Sequence, residues 1–161
     1  MAEQKTSVLF ICLGNICRSP IAEAVFKDLI RKRNVENQYF VDSAAVIDYH
    51  LGKSPEKRTL ETLRAHGITD YDHKVRQVSS GDFEKFDIIF GMDDDNIEDL
   101  KGLQKKSKNP KAKIEYLGSY DPQGVKIIQD PYYAKGNALF EDAFEQCTRC
   151  CNGFLDAQSK S

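Results

Sequence analysis

The chain has 161 residues, a formal net charge of -2 at pH 7, 40% hydrophobic residues and 30% charged residues. This length and composition predict one globular domain spanning residues 1–161. The small net charge and the scattered Lys and Arg residues argue against a nucleic-acid partner. Since no apolar run approaches the roughly 20 residues that span a bilayer, we also expect no membrane insertion.

The first residues and the number of cysteines indicate the cellular location of the chain. Residues 1–6 lack the charged-then-apolar pattern of a signal peptide. The five cysteines are an odd number, which argues against a fully paired disulfide framework. We therefore expect a cytoplasmic location, where reducing conditions keep a cysteine nucleophile active.

Four short β-like segments alternate with helical patterns along the chain. Strands are predicted at residues 7–12, 38–42, 86–92 and 113–117. Helices are predicted from Pro20 with Ser19 as the N-cap, over residues 54–67, from near Asp93, and over residues 138–155. This alternation predicts an α/β fold with a parallel sheet covered by helices on both faces.

Apolar stripes support these helices. In the last helix the stripe is Phe140, Phe144, Cys147, Cys151, Phe154 and Leu155. Because Cys147 and Cys151 continue this stripe and no histidine lies nearby, the cluster with Cys150 is predicted to pack in the core and not to bind metal. Asp93 and the two aspartates after it are better explained by helix capping than by metal binding, and Asp93 is placed to contact Arg18.

Several polar residues are predicted to meet at one edge of the sheet. Ligands of open α/β sheets bind beyond the carboxyl ends of the strands. Cys12 ends a predicted strand, Ser43 and Asp93 each follow one, and the irregular segment 119–137 follows the last one. Long loops in compact domains are usually functional. The sequence therefore predicts a ligand crevice at this edge.

The segment from Cys12 to Pro20 reads CLGNICRSP and has the composition of an anion-binding loop. Five residues separate Cys12 from Arg18, a length that wraps one tetrahedral anion with backbone N–H groups. Positive surroundings and a helix N-terminus favour the thiolate form of a cysteine. Arg18 can hold two phosphoryl oxygens with its planar fork. A buried structural cysteine is the alternative for Cys12, but the arginine at this spacing favours cysteine-based phosphate chemistry.

Small and polar residues are expected to shape this loop. Gly14 permits either a close backbone approach or a positive φ, and Asn15 tolerates a left-handed conformation. The Asn15 amide is expected to hold the loop, and the Ser19 hydroxyl to donate to the Cys12 thiolate.

Cleavage of a phosphate ester also needs an acid that protonates the leaving oxygen. The best candidate is Asp130, which precedes Pro131, Tyr132 and Tyr133 in the irregular segment. The two tyrosines are placed to line a slot for an aromatic ring. Asp121, which precedes Pro122 but has no neighbouring aromatic pair, is interpreted as a turn residue.

The loop CLGNICRSP together with the late segment DPYY resembles the low-molecular-weight protein tyrosine phosphatases. The similarity extends over nearly the whole chain and includes VDSAA at residues 41–45 and KIEYLGSYDP at residues 113–122. The resemblance implies a three-layer, Rossmann-like fold with a four-stranded parallel sheet. It also implies a cysteinyl-phosphate intermediate, with neither a metal nor another cofactor.

The resemblance assigns a role to each matching residue. It implies that Cys12 is the nucleophile, Arg18 the phosphate clamp and Asp130 the general acid. It implies a phosphate-binding loop formed by Leu13, Gly14, Asn15, Ile16, Cys17 and Ser19. It further implies that Ser43 and His73 support the loop, and that the crevice is walled by Leu13, Tyr49, Tyr132 and Tyr133. Tyr49 lies in the most variable part of the match, residues 46–53.

The resemblance also implies the partners and a redox role. Tyrosine-phosphorylated proteins or peptides are the expected substrates, and inorganic phosphate and other oxyanions are the expected inhibitors. Cys17 either forms a reversible disulfide with Cys12, which would protect the nucleophile from overoxidation, or packs inward as a small loop residue. The sequence leaves both possibilities open.

Two other functions compete with this interpretation. Arsenate reductases have a similar fold and use the same anion loop, but their chemistry needs further cysteines, and none lies between Cys17 and Cys147. A phosphate-binding module without turnover is the second alternative. The presence of Cys12, Arg18 and Asp130 argues against it, because loss of the nucleophile or the acid would be its expected signature.

Overall fold

The computed structural model describes residues 5–160, which form a four-stranded parallel sheet and its covering helices. The strands are β1 (Thr6–Cys12), β2 (Tyr39–Ala45), β3 (Ile88–Gly91) and β4 (Lys113–Tyr116). Their order in the sheet is β2-β1-β3-β4, and each neighbouring pair is parallel. The prediction of no signal peptide concerns residues 1–6, of which 1–4 lie outside the described residues.

Helices cover both faces of the sheet. They are α1 (Arg18–Lys32), α2 (Lys57–Ala65), α3 (Asp82–Lys85), α4 (Asp94–Gln104) and α5 (Ala138–Ser159). One apolar core lies between the sheet and α1, α2 and α5, and a second lies between the sheet and α3 and α4. The predicted three-layer α/β fold is confirmed.

Strand β1 contributes to both cores because successive residues of a strand point to opposite faces. Val8 and Phe10 belong to the first core, and Leu9 and Ile11 belong to the second. All four side chains are fully buried, and burial of each contributes roughly 1.5–3 kcal/mol relative to exposure. The packing of β1 on both faces fixes its last residue, Cys12, at the edge where the strands end.

Helix α1 begins earlier than the sequence predicts. Its first residue is Arg18, and Cys17 occupies the N-cap position without making a side-chain cap. The prediction of Ser19 as the N-cap is therefore wrong. The Ser19 hydroxyl lies inside the first turn and contacts the Cys12 sulfur, so it is not placed to cap the helix.

Helix α2 begins later than predicted, at Lys57 instead of residue 54. The Glu56 carboxylate accepts the backbone N–H of Arg58 and so caps the helix at this point. The predicted end is confirmed, because Gly67 follows the last turn with a φ of 85°. Leu63 is the buried leucine of this helix.

The strands and loops differ from prediction in three places. β2 runs to Ala45 because it stays paired with β1 up to Cys12, so Ser43 lies within the strand instead of after it. β3 is shorter than the predicted segment 86–92. Helix α3 was not predicted, since four residues are too few to show a helical period. The predicted irregular segment 119–137 begins inside a 3₁₀ helix, Leu117–Tyr120, whereas residues 121–137 contain no helix or strand, as expected.

Helix α5 packs its predicted stripe against the sheet. Cys147, Cys150 and Cys151 are fully buried in the first core, so their predicted packing role is confirmed. Phe144 is half-buried and stacks on the His66 ring with centroids 3.9 Å apart. Among residues 5–160, we find no helix with both the length and the apolar character needed to cross a membrane.

Candidate active site

The loop between β1 and α1, residues 12–19, encloses the thiol of Cys12 and is called the phosphate loop below. The Cys12 Sγ lies 3.0 Å from the Ser19 Oγ and 3.4 Å from the Ser19 backbone nitrogen. Both partners belong to the first turn of α1, where unpaired N–H groups and the helix dipole favour negative charge. Cys12 is 3% exposed and Ser19 is fully buried. The Cys12 sulfur is therefore enclosed by the phosphate loop and contacts the first turn of α1.

Asn15 gives the phosphate loop its bend. Its φ is 58°, in the left-handed region that the sequence predicts it to tolerate. Its buried amide nitrogen donates to the Ser19 Oγ at 2.7 Å and to the Ser43 Oγ at 3.0 Å, and its oxygen accepts from the His73 Nε2 at 2.7 Å. Because the amide donates to Ser19, the Ser19 hydroxyl proton is left to donate to Cys12. The structure thus brings the expected supporting residues together.

Two further residues of this network, Glu23 and Tyr71, are not identified from the sequence. The Ser43 hydroxyl and the Tyr71 hydroxyl both donate to the Glu23 Oε1 at 2.7 Å. Burial and the neighbouring Glu23 charge raise the pKa of Tyr71 far above its ordinary value, so the phenol remains a donor. A charged residue in the middle of an amphipathic helix normally faces solvent, and for this reason the sequence gives no signal for a buried Glu23.

Glu23, Asp42 and His73 form a group with the spacing of metal ligands. One ligand atom of each lies within 4.8 Å of the others. Protein partners already occupy these atoms: Glu23 also pairs with Lys27 at 2.8 Å, and Asp42 accepts from the Arg76 Nε at 2.8 Å. Two cations beside the group oppose binding of another, so we interpret it as part of the hydrogen-bonded support.

Arg18 lies almost fully buried at the start of α1, with its guanidinium at the strand ends. Its Nη1 donates to the Asp93 Oδ2 at 2.6 Å and to the Ile128 carbonyl at 2.9 Å. The predicted contact with Asp93 is confirmed, and Asp93 also caps α4 by accepting the Asn96 N–H. Burial opposes the charge of Arg18, but the negative charge of Cys12 and the hydrogen bond to Asp93 outweigh it and raise the arginine pKa.

Asp130 stands across from Arg18 on the irregular segment, with the Asp130 Oδ2 3.7 Å from the Arg18 Nη2. Its other oxygen accepts the Tyr132 backbone N–H at 3.1 Å, a local turn that fixes the carboxylate direction. The Asp130 side chain is 29% exposed. The carboxylate is thus held at the edge of the crevice, near the arginine fork.

The crevice above the phosphate loop has a volume of about 380 Å³. Its lining includes every residue expected to wall it, namely Leu13, Tyr49, Tyr132 and Tyr133, together with Cys12 and Asp130. The Tyr132 and Tyr133 rings are perpendicular with centroids 5.0 Å apart. The crevice therefore has a sulfur and a carboxylate inside and aromatic rings at its rim.

Two lining residues, Ile47 and His50, are missing from the sequence prediction. The backbone N–H of Ile47 donates to the Leu13 carbonyl at 3.1 Å, because the segment after β2 continues alongside the phosphate loop. His50 packs so closely on Gly14 that an added Cβ would lie 3.1 Å from its ring. Of the two roles predicted for Gly14, close approach is the one that the structure shows, and its φ is not positive. The sequence gives no signal for either residue, because the pairing of β1 with β2 that brings them here is seen only in the fold.

Cys17 lies in the same loop and is 3% exposed. Its burial, followed by the charge of Cys12, raises its thiol pKa well above the ordinary value. Both cysteines are free thiols. Inward packing describes this state, and the disulfide with Cys12 stays a prediction.

Asp121, interpreted from the sequence as a turn residue, does accept the Gln123 N–H in a turn. It is also buried and forms a two-bond pair with Arg149, at 3.0 and 3.1 Å. It does not line the crevice. The choice of Asp130 over Asp121 as the crevice residue agrees with this placement.

A thiol on a parallel strand, an arginine fork over the same loop and a carboxylate facing both are the features of the cysteine-based α/β phosphatases. The family model described as "Low molecular weight phosphotyrosine protein phosphatase" matches residues 7–161. The chain belongs to this family.

Relatives of the same name show how far the likeness extends. The pig protein is 53% identical over 157 residues, which are 97% of this chain and 98% of that protein, and the human protein is 50% identical over the same shares. The crystal structure of Primo-1 has a TM-score of 0.88 at 44% identity and covers 96% of this chain and 99% of that one. A crystal structure described as DARP, drosophila arginine phosphatase, also has a TM-score of 0.88, at 38% identity, and covers 94% of this chain and 96% of that one.

Proposed function

We propose that the protein hydrolyses phosphotyrosine monoesters in proteins or peptides, with Cys12 as the nucleophile and Asp130 as the acid. The observation that carries this proposal is the meeting of Cys12, Arg18 and Asp130 at one crevice with an aromatic rim. Family membership supports the same activity, because the named relatives are phosphotyrosine protein phosphatases.

In the first step the Cys12 thiolate attacks phosphorus in line with the ester oxygen. The S–P bond forms as the P–O bond to tyrosine breaks, and Asp130 gives its proton to the leaving phenolate. The backbone N–H groups of the phosphate loop and the Arg18 fork hold the equatorial oxygens, where most of the catalysis of phosphoryl transfer arises. Because these groups supply the positive charge, the cycle needs no metal or other cofactor.

In the second step Asp130, now a carboxylate, accepts a proton from water as the water attacks the cysteinyl phosphate. The O–P bond forms, the S–P bond breaks, and inorganic phosphate leaves with the Cys12 thiolate restored. Inorganic phosphate and other tetrahedral oxyanions fit the same loop, so we propose them as competitive inhibitors.

The crevice favours an aryl ester. A phenol has a pKa of about 10 and leaves far more readily than an aliphatic alkoxide. Tyr49 and Tyr133, which are 77% and 80% exposed, provide flat surfaces on which a substrate ring can pack. We therefore place phosphotyrosine ahead of phosphoserine, and also ahead of phosphoarginine, whose leaving group is not aromatic.

We further propose that residues 1–161 act as one phosphatase domain in the cytoplasm. Both cores share the single sheet, and the site draws on residues from β1 to the segment before α5. The proposed chemistry uses Cys12 as a free thiolate, which the reducing cytoplasm preserves.

The test is hydrolysis of phenyl phosphate, phosphotyrosine peptide and phosphoarginine in the presence of a chelator. Cys12→Ser should abolish turnover, and Asp130→Asn should lower kcat for phenyl phosphate by about 10²- to 10⁴-fold. Asp142→Asn, an exposed aspartate on α5, is the matched control and should behave as wild type. Turnover that survives Cys12→Ser, or that requires added metal, would contradict the mechanism. Preferential turnover of phosphoarginine would contradict the substrate class.

A further inference from the structure

The segment that carries Asp130, residues 129–136, is called the acid loop below, and one side chain from another element donates hydrogen bonds to its backbone. That side chain is Arg58, in the first turn of α2. We propose that Arg58 is a positioning residue for the reaction, which fixes the acid loop and so sets the place of Asp130 and Tyr132. This inference rests on the proposed function and adds to it a residue outside the crevice.

The Arg58 guanidinium donates to three carbonyl groups of the acid loop. Its Nη1 donates to the Ala134 carbonyl at 2.6 Å and to the Gly136 carbonyl at 3.1 Å, and its Nη2 donates to the Tyr132 carbonyl at 2.9 Å. Hydrogen bonds from a charged donor are stronger than neutral ones. Three such bonds to alternate residues fix the path of the backbone immediately after Asp130.

Two contacts hold the Arg58 fork in place. Its Nε donates to the Glu56 Oε1 at 2.9 Å, and its guanidinium carbon lies 4.4 Å from the centroid of the Phe140 ring. Phe140 is fully buried at the start of α5. A fork braced on both sides loses little side-chain freedom when it binds the loop, so its hydrogen bonds are well placed to determine loop position.

The same end of α2 is bound to the phosphate loop. The backbone N–H of Glu56 and the hydroxyl of Thr59 both donate to the Ile16 carbonyl at 2.9 Å. Thr59 is fully buried. Helix α2 therefore connects the loop that holds the nucleophile to the loop that holds the acid, and it sets the distance between them.

The acid loop has few other polar connections, one of which is the ion pair between the Asp130 Oδ2 and the Arg18 Nη2 at 3.7 Å. Its remaining hydrogen bonds are internal: Tyr132 N–H to the Asp130 carboxylate and Ala134 N–H to the Pro131 carbonyl. Within the part of the chain that the structure describes, Arg58 supplies the hydrogen bonds that join this loop to other elements. Removal of the fork should leave the loop free to shift while the phosphate loop stays formed.

A displaced Asp130 gives a specific kinetic signature. When the acid protonates the leaving oxygen, the rate depends weakly on the acidity of the leaving phenol. When the acid is out of reach, poor leaving groups suffer more than good ones. A merely destabilised fold would instead lower the rate for every substrate by the same factor.

The experiment compares Arg58→Met, which keeps an unbranched side chain but removes the guanidinium, with Arg64→Met, an exposed arginine on the same helix. For Arg58→Met we expect kcat/KM to fall about 10- to 100-fold with phenyl phosphate and clearly less with p-nitrophenyl phosphate. Arg58→Lys should recover part of the loss, because an ammonium donates to carbonyls without the fork. Inhibition by inorganic phosphate should stay unchanged, and so should the activity of Arg64→Met.

Two further measurements separate this inference from the proposed function. In an Asp130→Ala background, Arg58→Met should cause little further loss, since both changes remove the same step. Hydrogen exchange without substrate should speed up in residues 129–136 of Arg58→Met and stay unchanged in residues 12–19. Equal losses for all substrates, or unchanged exchange in the acid loop, would overturn the role of Arg58. If the wild-type protein lacks aryl phosphatase activity, the proposed function is contradicted. The exchange measurement then tests by itself whether Arg58 holds the acid loop.

Discussion

The buried amide of Asn15 makes a stability prediction that can be separated from its backbone conformation. Asn15→Gly keeps the left-handed φ but removes the amide from Ser19, Ser43 and His73. The His73 Nε2 loses its 2.7 Å acceptor, while both serine hydroxyls keep other partners, Cys12 and Glu23. The poorly paired His73 donor costs about 1–3 kcal/mol, and each of the two hydrogen bonds lost to Ser19 and Ser43 costs about 0.5–1.5 kcal/mol. We therefore expect Asn15→Gly to lower the free energy of unfolding by about 2–6 kcal/mol.

Asn34 provides the matched control for this prediction. Its φ is 60°, close to that of Asn15, but it is exposed after the end of α1 and its amide is outside the buried network. Asn34→Gly should change the free energy of unfolding by less than about 0.5 kcal/mol. At both positions the Ala variant should be about 1–2 kcal/mol less stable than the Gly variant, because alanine resists positive φ.

Urea unfolding of the four variants measures both effects, provided that the slopes of the transitions agree. Equal stability of Asn15→Gly and Asn34→Gly would refute the argument from the buried network. A Gly-to-Ala difference at one position but not at the other would refute the argument from φ. Inhibition by inorganic phosphate should weaken in Asn15→Gly and not in Asn34→Gly, since only the first shapes the anion site.

Two further predictions concern stability away from the crevice. The hydrogen bond with Arg149 lowers the pKa of Asp121. The pair therefore stabilises the fold fully above the unfolded carboxyl pKa of about 3.9. This stabilisation is lost as the pH falls through the lower pKa of the folded state. Asp121→Asn should therefore destabilise the protein at pH 7 and much less at pH 2, as measured by urea unfolding; an equal effect at both values would contradict the ion pair. Gly118→Ala should destabilise by about 1–3 kcal/mol or more, because its Cβ would overlap the Lys126 carbonyl. Gly102→Ala, in open space on α4, should stabilise by about 0.5–1 kcal/mol, and thermal unfolding that reverses this order would contradict the packing.

The phosphate loop could be predicted from the sequence because its chemistry is local. Cys12, Asn15 and Arg18 lie within seven consecutive residues, and the spacing itself encodes a loop around a tetrahedral anion. Asp130 could be assigned to the crevice for a similar reason, since two tyrosines follow it after a single proline. The α/β class could be predicted because segments with the hydrophobic pattern of strands alternate with segments that have the pattern of helices. These patterns depend only on residues that are close together in the sequence.

The remaining features depend on residues that are distant in sequence. The strand order β2-β1-β3-β4 depends on how the strands pack together, and the hydrophobic pattern within each strand does not encode it. Arg58 escaped prediction because its partners are backbone carbonyls 74–78 residues away, and carbonyls belong to every residue type. Glu23 was missed because only the folded chain shows that Ser43 and Tyr71 surround its carboxylate.

The long separation between the parts of the site has a consequence for synthesis and folding. Arg18 is bound to the Ile128 carbonyl, 110 residues further along the chain, and Asn15 is bound to His73, 58 residues further along. Closure of such loops is entropically costly and makes contacts of this kind slow to form. During synthesis on a ribosome, Cys12 would emerge first, and the site would stay incomplete until residue 130 has been added. Recovery of activity during refolding should then report the last contacts to form, and no amino-terminal fragment that lacks the acid loop should turn over ordinary aryl esters at the full rate.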